Sequence, residues 1–458
     1  MVEQNFMYFF LVWLTGAVAV GLPILAYYRF RDSFHPAIFL GFPLAYPYFL
    51  APLLLNDEGS IVNYLPMESM DSVQLIYLLG ITALLLGTLV VRQPPTRFYK
   101  AELWSQVLAR PLRKIALFLG TLGIIGYLIS VYSSGGFIEV YSVSHRGEGL
   151  ELSGYIRNLT SLVIPAILLL YLSSSAKKIE SIDVALIACF AAPIIFRAII
   201  IGSRGDTFAI IVTLVVGWYI TRGKRPSLLV VIGGGIALAL LLLSLVVHRD
   251  VLHLGTEFEF KGIDEAIEFM SRSSTGTARG HEYIYGSGTI INSMRTENYE
   301  WGGRYVEKIL IRAIPGFIWP SQYEDIRDLF KLPQNRLSAQ VETLNWSATG
   351  GSSTGLIADL WLQFWWYYLP ILYLVGWRLG IAWRKCVSQG GIWFIGYVIM
   401  LTVSLHLTQQ TLQAWLWQVL FLSGITWVIW RWMLFPKLEK IKKYMNTNRN
   451  YNFSDFQY

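Results

Sequence analysis

The sequence predicts an all-α polytopic membrane protein of about eleven transmembrane helices, with one large outer loop built of short helices. Three observations predict it. Hydrophobic residues make up 54% of the 458-residue chain and charged residues only 15%, against roughly 25% charged in soluble proteins. The apolar residues fall in runs of about 20, the length that crosses a ~30 Å hydrocarbon core as a helix. Ten-residue segments of alternating hydrophobicity, the mark of a membrane β-barrel, are absent. The mean hydropathy of +0.47 agrees with this reading.

The first run, 7–28, follows MVEQNF, which carries Glu3 and no basic residue. A secretory leader wants a basic start, so this run is expected to be a retained helix. Further spans are expected at 35–55, 73–91, 115–133, 156–175, 182–201, 207–221, 227–247, 356–377, 391–407 and 412–435. The organisation is then eight spans in 1–247, a large loop over 248–354, three spans in 355–435 and a basic tail over 436–458. Within that tail KLEKIKKY reads as an amphipathic helix at the membrane surface.

Charge sets the expected orientation. With the N-terminus outside, the inner segments and span ends hold 22 basic residues, and the short outer segments with their span ends hold three. The positive-inside rule therefore places the N-terminus and the long loop outside and the C-terminus in the cytoplasm. The net charge of +7 belongs mainly to those inner loops. The long loop holds eight arginines and three lysines against fourteen acids, so it is no basic patch and nucleic acid is not expected. Cys189 and Cys386 stand far apart in or beside apolar runs, which supports neither a disulfide framework nor a zinc site. No paired His or DxD pattern stands in an outer segment, so no metal and no cofactor is expected. Internal repeats and mirrored Gly/Pro-broken helices, frequent in transporters, are not found.

The candidate chemistry gathers in the outer segments. Arg197 lies inside a span, where a charge is costly; it faces a polar cavity or ligand, or snorkels to the interface. Arg204 and Asp206 share the tight turn Gly202-Ser203-Arg204-Gly205-Asp206, where they either serve a ligand or pair with each other to fix the turn. Arg249 sits where the eighth span leaves the membrane, suited to a phosphate at headgroup height or to anchoring. Arg279, His281 and Glu282 lie in SRSSTGTARGHEYIYGSG, whose small residues let backbone amides approach an anion. Either His281 or Glu282 could take a proton from a hydroxyl. Two short helices are expected in the loop, over 263–270 and 302–314. Arg312 precedes PGFIWP, in which Trp319 stands on a rigid turn able to stack on a sugar ring. Asp359 and Gln363 stand at helical spacing in the ninth span, and an acid there is buried against a partner or functional.

These stretches resemble the bacterial oligosaccharide repeat-unit polymerases, the O-antigen polymerase (Wzy-type) family. The resemblance rests on GGF (135–137), GSRGDTF (202–208), Arg249, AIPGFIWPSQYED (313–325) and GGSSTGLIADLWLQFWWYYLP (350–370). The chain departs from the family pattern at Ser321-Gln322, where a basic residue often stands, and at Asp359, where Glu often stands. The resemblance implies a C-type glycosyltransferase-like fold and a metal-independent transfer at the outer leaflet of the bacterial inner membrane. The implied substrate is an undecaprenyl-pyrophosphate-linked oligosaccharide, the implied surroundings are membrane lipids, and a chain-length regulator protein is a candidate partner. It assigns pyrophosphate to Arg197, Arg204 and Arg249, with Arg279 and Arg312 beside them. His281 or Glu282 would be the base, with Asp206 behind them, and Tyr283 and Trp319 would meet the glycan. An O-antigen ligase with the same donor, a transporter of the same lipid and a non-catalytic scaffold are the competing readings.

Overall fold

The computed structural model describes residues 2–57, 60–94, 101–142, 158–247, 281–314, 318–333, 344–346 and 352–447. All regular structure among these residues is helical. That is what a bilayer demands, because a helix satisfies its backbone N–H and C=O groups within one segment. In chain order the helices are α1 (Val2–Phe30), α2 (Pro36–Ala45), α3 (Ala51–Asp57), α4 (Ser60–Tyr64), α5 (Met70–Leu89), α6 (Ala101–Ser133) and α7 (Phe137–Ser142). They continue with α8 (Val163–Ser173), α9 (Ser181–Ile200), α10 (Arg204–Thr221), α11 (Leu228–Val247), α12 (Glu282–Thr296) and α13 (Gln322–Phe330). The last are α14 (Leu356–Phe364), α15 (Tyr368–Gln389), α16 (Gly391–Thr402), α17 (Ser404–Gln409) and α18 (Leu412–Thr447).

Eight helical stretches among the described residues are long and apolar enough to cross a membrane: Phe6–Phe30, Pro36–Asn56, Met67–Leu89, Leu108–Ser133, Ser181–Ile200, Leu228–Leu245, Gly391–Gln409 and Leu412–Leu434. They fall on eight of the eleven expected spans. The other three differ for physical reasons. The run at 156–175 gives the shorter apolar helix Thr160–Ser173. The run at 207–221 forms α10, whose first turn carries Arg204 and Asp206. The run at 356–377 breaks at Trp365, where φ of +51° ends α14 before α15 begins. The expected helix over 302–314 is present as a series of turns over 303–313, wide at Val306–Leu310 and tight at Ile311–Ala313. The expected helix over 263–270 lies outside the described residues.

The chain divides into two compact units. The first comprises Met1–Val91, Ile267–Ile381 and Ser404–Gln418, and the second Arg92–Ala266, Ala382–Val403 and Val419–Tyr458. In the first, α1 packs along α5 and α2, and α12 lies against α14 and α5. Pro47 has no N–H to give a helical ladder. The chain there takes a wide π-turn, Tyr46–Leu50, which carries Tyr48 to full burial. In the second unit, α6 packs along α8, and α10 packs on α9, α8 and α16.

Close helix contact in the first unit depends on missing side chains. A Cβ at Gly87 of α5 would run into the carbonyl of Tyr373, and one at Gly376 of α15 into the carbonyl of Leu84. Gly380, four residues after Gly376, faces the Thr88 carbonyl, so α15 presents a GxxxG face to α5. Gly376→Leu should therefore push the two backbones apart, at a cost of about 1–3 kcal/mol. Its melting temperature in detergent should fall clearly below wild type. An unchanged value would mean that α5 and α15 do not meet at this face.

Candidate active site

In the first unit α12 is buried among the spans. His281 caps it, with extended backbone and Nδ1 accepting the Tyr283 N–H at 3.1 Å. Gly286 lets the Thr354 carbonyl and the Tyr77 hydroxyl approach its backbone, and Gly288 receives the Trp346 ring. The Tyr283 hydroxyl donates to Gln74 Oε1 at 3.0 Å and lies 2.9 Å from the Tyr8 hydroxyl. Gln74 Nε2 donates to Thr15 Oγ1 at 3.0 Å and to the Tyr48 carbonyl at 3.1 Å. The Tyr77 hydroxyl meets Ser287 Oγ at 3.3 Å. A chain of hydroxyls and one amide thus runs through the interior, each polar atom answered by another, as burial requires.

Glu282 stands at the mouth of this chain. A Cβ added to Gly355, whose φ is +78°, would lie 2.6 Å from Glu282 Oε1 and 2.9 Å from the Tyr48 hydroxyl. The carboxylate, the phenol and a bare stretch of backbone therefore share one spot. An acid among membrane-spanning helices is expensive and marks function by default. His281 offers different chemistry. Burial pushes its pKa down to about 4, so at neutral pH the ring is uncharged. With Nδ1 occupied as the cap acceptor, the proton sits on Nε2, which donates rather than accepts. Tyr283, assigned above to glycan, is fully buried with its hydroxyl engaged, so its ring presents no face to a sugar.

The segment after α12 is held by buried charge. Glu300 N–H donates to the Leu362 carbonyl at 2.9 Å and Gly302 N–H to that of Gln363 at 3.1 Å, which ties the segment to the end of α14. Glu307, with no exposed surface, receives Arg304 Nη1 at 3.0 Å and Arg327 Nη2 at 2.8 Å. Arg304 Nε lies 3.6 Å from Glu300 Oε1, and Glu300 also accepts from Gln363. Burial alone would raise the Glu307 pKa. The nearby Lys308 charge and the hydrogen bonds from Arg327 and Arg304 outweigh it and hold the carboxyl below its ordinary value. Asp359, fully buried, accepts from the Tyr305 hydroxyl at 2.9 Å. Arg312 stacks over the Trp417 ring, 5.1 Å from its centroid. Trp319 Nε1 donates to Asp325 Oδ2 at 2.6 Å, which fixes that indole to the first turn of α13.

In the second unit the turn between α9 and α10 is capped by Ser203, whose Oγ accepts the Asp206 N–H at 3.4 Å. The ion pair here runs from Arg197 Nη2 to Asp206 Oδ2, 3.1 Å. The pairing of Arg204 with Asp206 expected as one reading of the turn is not formed: Asp206 reaches back to α9, and Arg204 stands exposed at the first position of α10. Gly135 and Gly136, both at positive φ, turn the chain into α7, whose Phe137 packs edge-on against Phe196 of α9. The Tyr141 hydroxyl lies 2.9 Å from that of Tyr127 and feels the charges of Arg197 and Asp206. Arg249 and Arg279 lie outside the described residues. Among the described residues no group of three His, Cys, Asp or Glu side chains is placed to hold a metal ion.

A family model described as "O-antigen polysaccharide polymerase Wzy" matches residues 6–438. The chain belongs to this family. No curated protein and no solved structure matches it. As a Wzy-family protein it is a multi-pass membrane polymerase of O-antigen polysaccharide. The features that sequence reading missed in this polymerase are the burial of α12 and the Glu307 network. A signal for the first was present: Tyr283, Ile284, Ile290 and Ile291 recur at helical spacing on one face. No spacing announces the second, because Glu307 and Arg327 stand twenty residues apart.

Glu307→Gln should leave Arg304 and Arg327 under-compensated in the interior and cost about 3–5 kcal/mol. The depressed pKa sets the sign of the pH effect. Glu307 contributes stability above its ordinary pKa of 4.5, and that contribution is lost as pH falls through and below that value. Melting curves recorded from neutral to acid pH should show the variant losing less on acidification than wild type. Parallel curves for the two proteins would contradict this account of the network.

Proposed function

We propose that the protein joins undecaprenyl-pyrophosphate-linked oligosaccharide repeat units into a surface polysaccharide at the outer leaflet of the bacterial inner membrane, without a metal ion. The observation that carries the donor reading is the α9–α10 turn, with exposed Arg204 at a helix N-terminus and half-buried Arg197 beside Asp206. A helix N-terminus favours an anion, and an arginine fork suits phosphate oxygens. Arg197 holds a carboxylate in a geometry that a phosphate oxygen can also take. The basic bias of the expected inner segments supports an N-terminus outside and a cytoplasmic C-terminus.

In the reaction the acceptor hydroxyl attacks the anomeric carbon of the donor sugar. A new C–O bond forms, the bond from that carbon to the pyrophosphate breaks, and undecaprenyl pyrophosphate departs with the electron pair. Its growing charge needs positive partners, which Arg204 and Arg197 supply in this reading. The hydroxyl proton goes to a carboxylate. Asp206 and Glu282 remain the proposed bases, and His281, which presents an N–H, is not one. Arg249, Arg279 and Arg312 remain proposed phosphate contacts and Trp319 a proposed glycan contact.

The test is a polymerisation assay with purified protein in nanodiscs, lipid-linked repeat unit and a chelator, with products resolved by length. Wild type should give a ladder. Arg204→Ala should slow elongation by roughly 10–100-fold, the worth of one or two charge-assisted hydrogen bonds. A single transfer to a foreign acceptor would point to a ligase. Passage of intact substrate across proteoliposomes, with no ladder, would overturn the enzyme reading.

A further inference from the structure

A second polar recess of the first unit lies away from Glu282. It is a shallow cleft between the end of α12, the following turn and the end of α13, with a cavity volume of about 50 Å³. Asn292, Asn298, Tyr299, Glu300 and Lys331 line it. The composition is specific. Three aromatic rings (Tyr285, Tyr299 and Phe330), two planar amides, one ammonium and one carboxylate surround a space suited to one edge of a sugar ring.

The cleft is also stiff. Tyr299 is gripped by the indoles of Trp301, Trp361 and Trp365, with ring centroids 6.0, 6.3 and 6.1 Å away. Glu300 is fixed from below by Gln363 and Arg304. Three non-glycine residues around the cleft, Glu297, Trp301 and Lys331, are held at positive φ (51°, 47° and 53°). Such conformations persist only where the surroundings over-determine them, and they gather at ligand clamps. Neither the buried chain around Tyr283 nor the α9–α10 turn uses any of these groups.

We propose that this cleft is a saccharide subsite holding one sugar ring of the repeat unit, an inference that rests on the polymerase reading for the source of its ligand. A pyranose has a face of C–H groups and a rim of hydroxyls. The Tyr299 ring takes the C–H face. Asn292 and Asn298 each offer a donor and an acceptor in one plane, the pattern that bridges two neighbouring hydroxyls. Lys331 at the exposed rim donates to hydroxyl oxygens, and Glu300 accepts from a hydroxyl at the floor. Tyr299 and its neighbours thus take the recognition task that buried Tyr283 has no free face to perform.

The experiment uses the full-length protein in nanodiscs and, as probe, the lipid-free oligosaccharide of one repeat unit released from the host's own polysaccharide. Binding is measured by calorimetry, with a dextran oligosaccharide as control. Wild type should bind the repeat unit and not dextran. Asn298→Ala, an exposed substitution, and Tyr299→Ala should each weaken binding by about tenfold or more, the loss of one good contact. Tyr299→Phe, which keeps the ring, should bind within about twofold of wild type. In the polymerisation assay Asn298→Ala should raise KM about tenfold with little change in kcat. Arg204→Ala should bind the lipid-free probe as wild type does while elongating roughly 10–100-fold more slowly. Equal binding by wild type, Asn298→Ala and Tyr299→Ala would overturn the proposal, as would no binding of the probe by wild type. A ladder with an idle cleft sinks the subsite alone. An occupied cleft without a ladder sinks the polymerase reading and leaves the subsite standing.

Discussion

Every backbone N–H and C=O that enters hydrocarbon must find its partner inside its own segment, and the rest of this structure depends on that constraint. It makes the regular structure of the described residues helical and confines polar chemistry to helix ends and bundle interiors. In the first unit the interior solution is a hydroxyl chain from Tyr8 through Tyr283 and Gln74 to Thr15. In the second it is a turn between two helices, where Ser203 caps α10 and Asp206 answers Arg197. Both places are polar because a backbone end or a buried side chain had to be satisfied.

The non-spanning segment of the first unit solves a different problem. Ionic contacts hold it. Glu307 gathers Arg304 and Arg327 around one buried carboxylate, and Glu300 ties the same segment to Gln363 on α14. Buried ion pairs add little net stability but impose one arrangement, since any other leaves a charge unpaired. A rigid arrangement suits the saccharide subsite proposed above, because ordering both partners on binding would cost affinity.

Much of this was legible in the residues. The long apolar runs located eight helices that can cross a bilayer, and the Gly202–Asp206 turn stood out through its charges between two spans. Its pairing did not, because Asp206 meets Arg197 across a helix–turn–helix geometry that spacing along the chain does not encode. α12 was obscured by Gly286, Ser287, Gly288 and Ser293. They lower its hydropathy, yet they are the small residues that let it enter a crowded bundle. The run 356–377 reads as one span because hydropathy is continuous through WWYYLP. The break at Trp365 is a backbone event that no hydropathy profile registers. The hydroxyl chain and the Glu307 network are long-range in sequence and were invisible for that reason.

The shortness of α14 bears on how the chain is made. Nine residues span about 14 Å, and they bury Asp359 and Gln363 completely. A segment that short, carrying an acid and an amide, has no favourable path into lipid by itself. Its last carbonyls are taken by Glu300 and Gly302, and Asp359 is answered by Tyr305, so these polar partners precede it in the chain. Synthesis thus delivers the receptor before the ligand. α14 enters the bilayer against polar partners already synthesised, and an error upstream of it would leave its buried acid and amide without a seat.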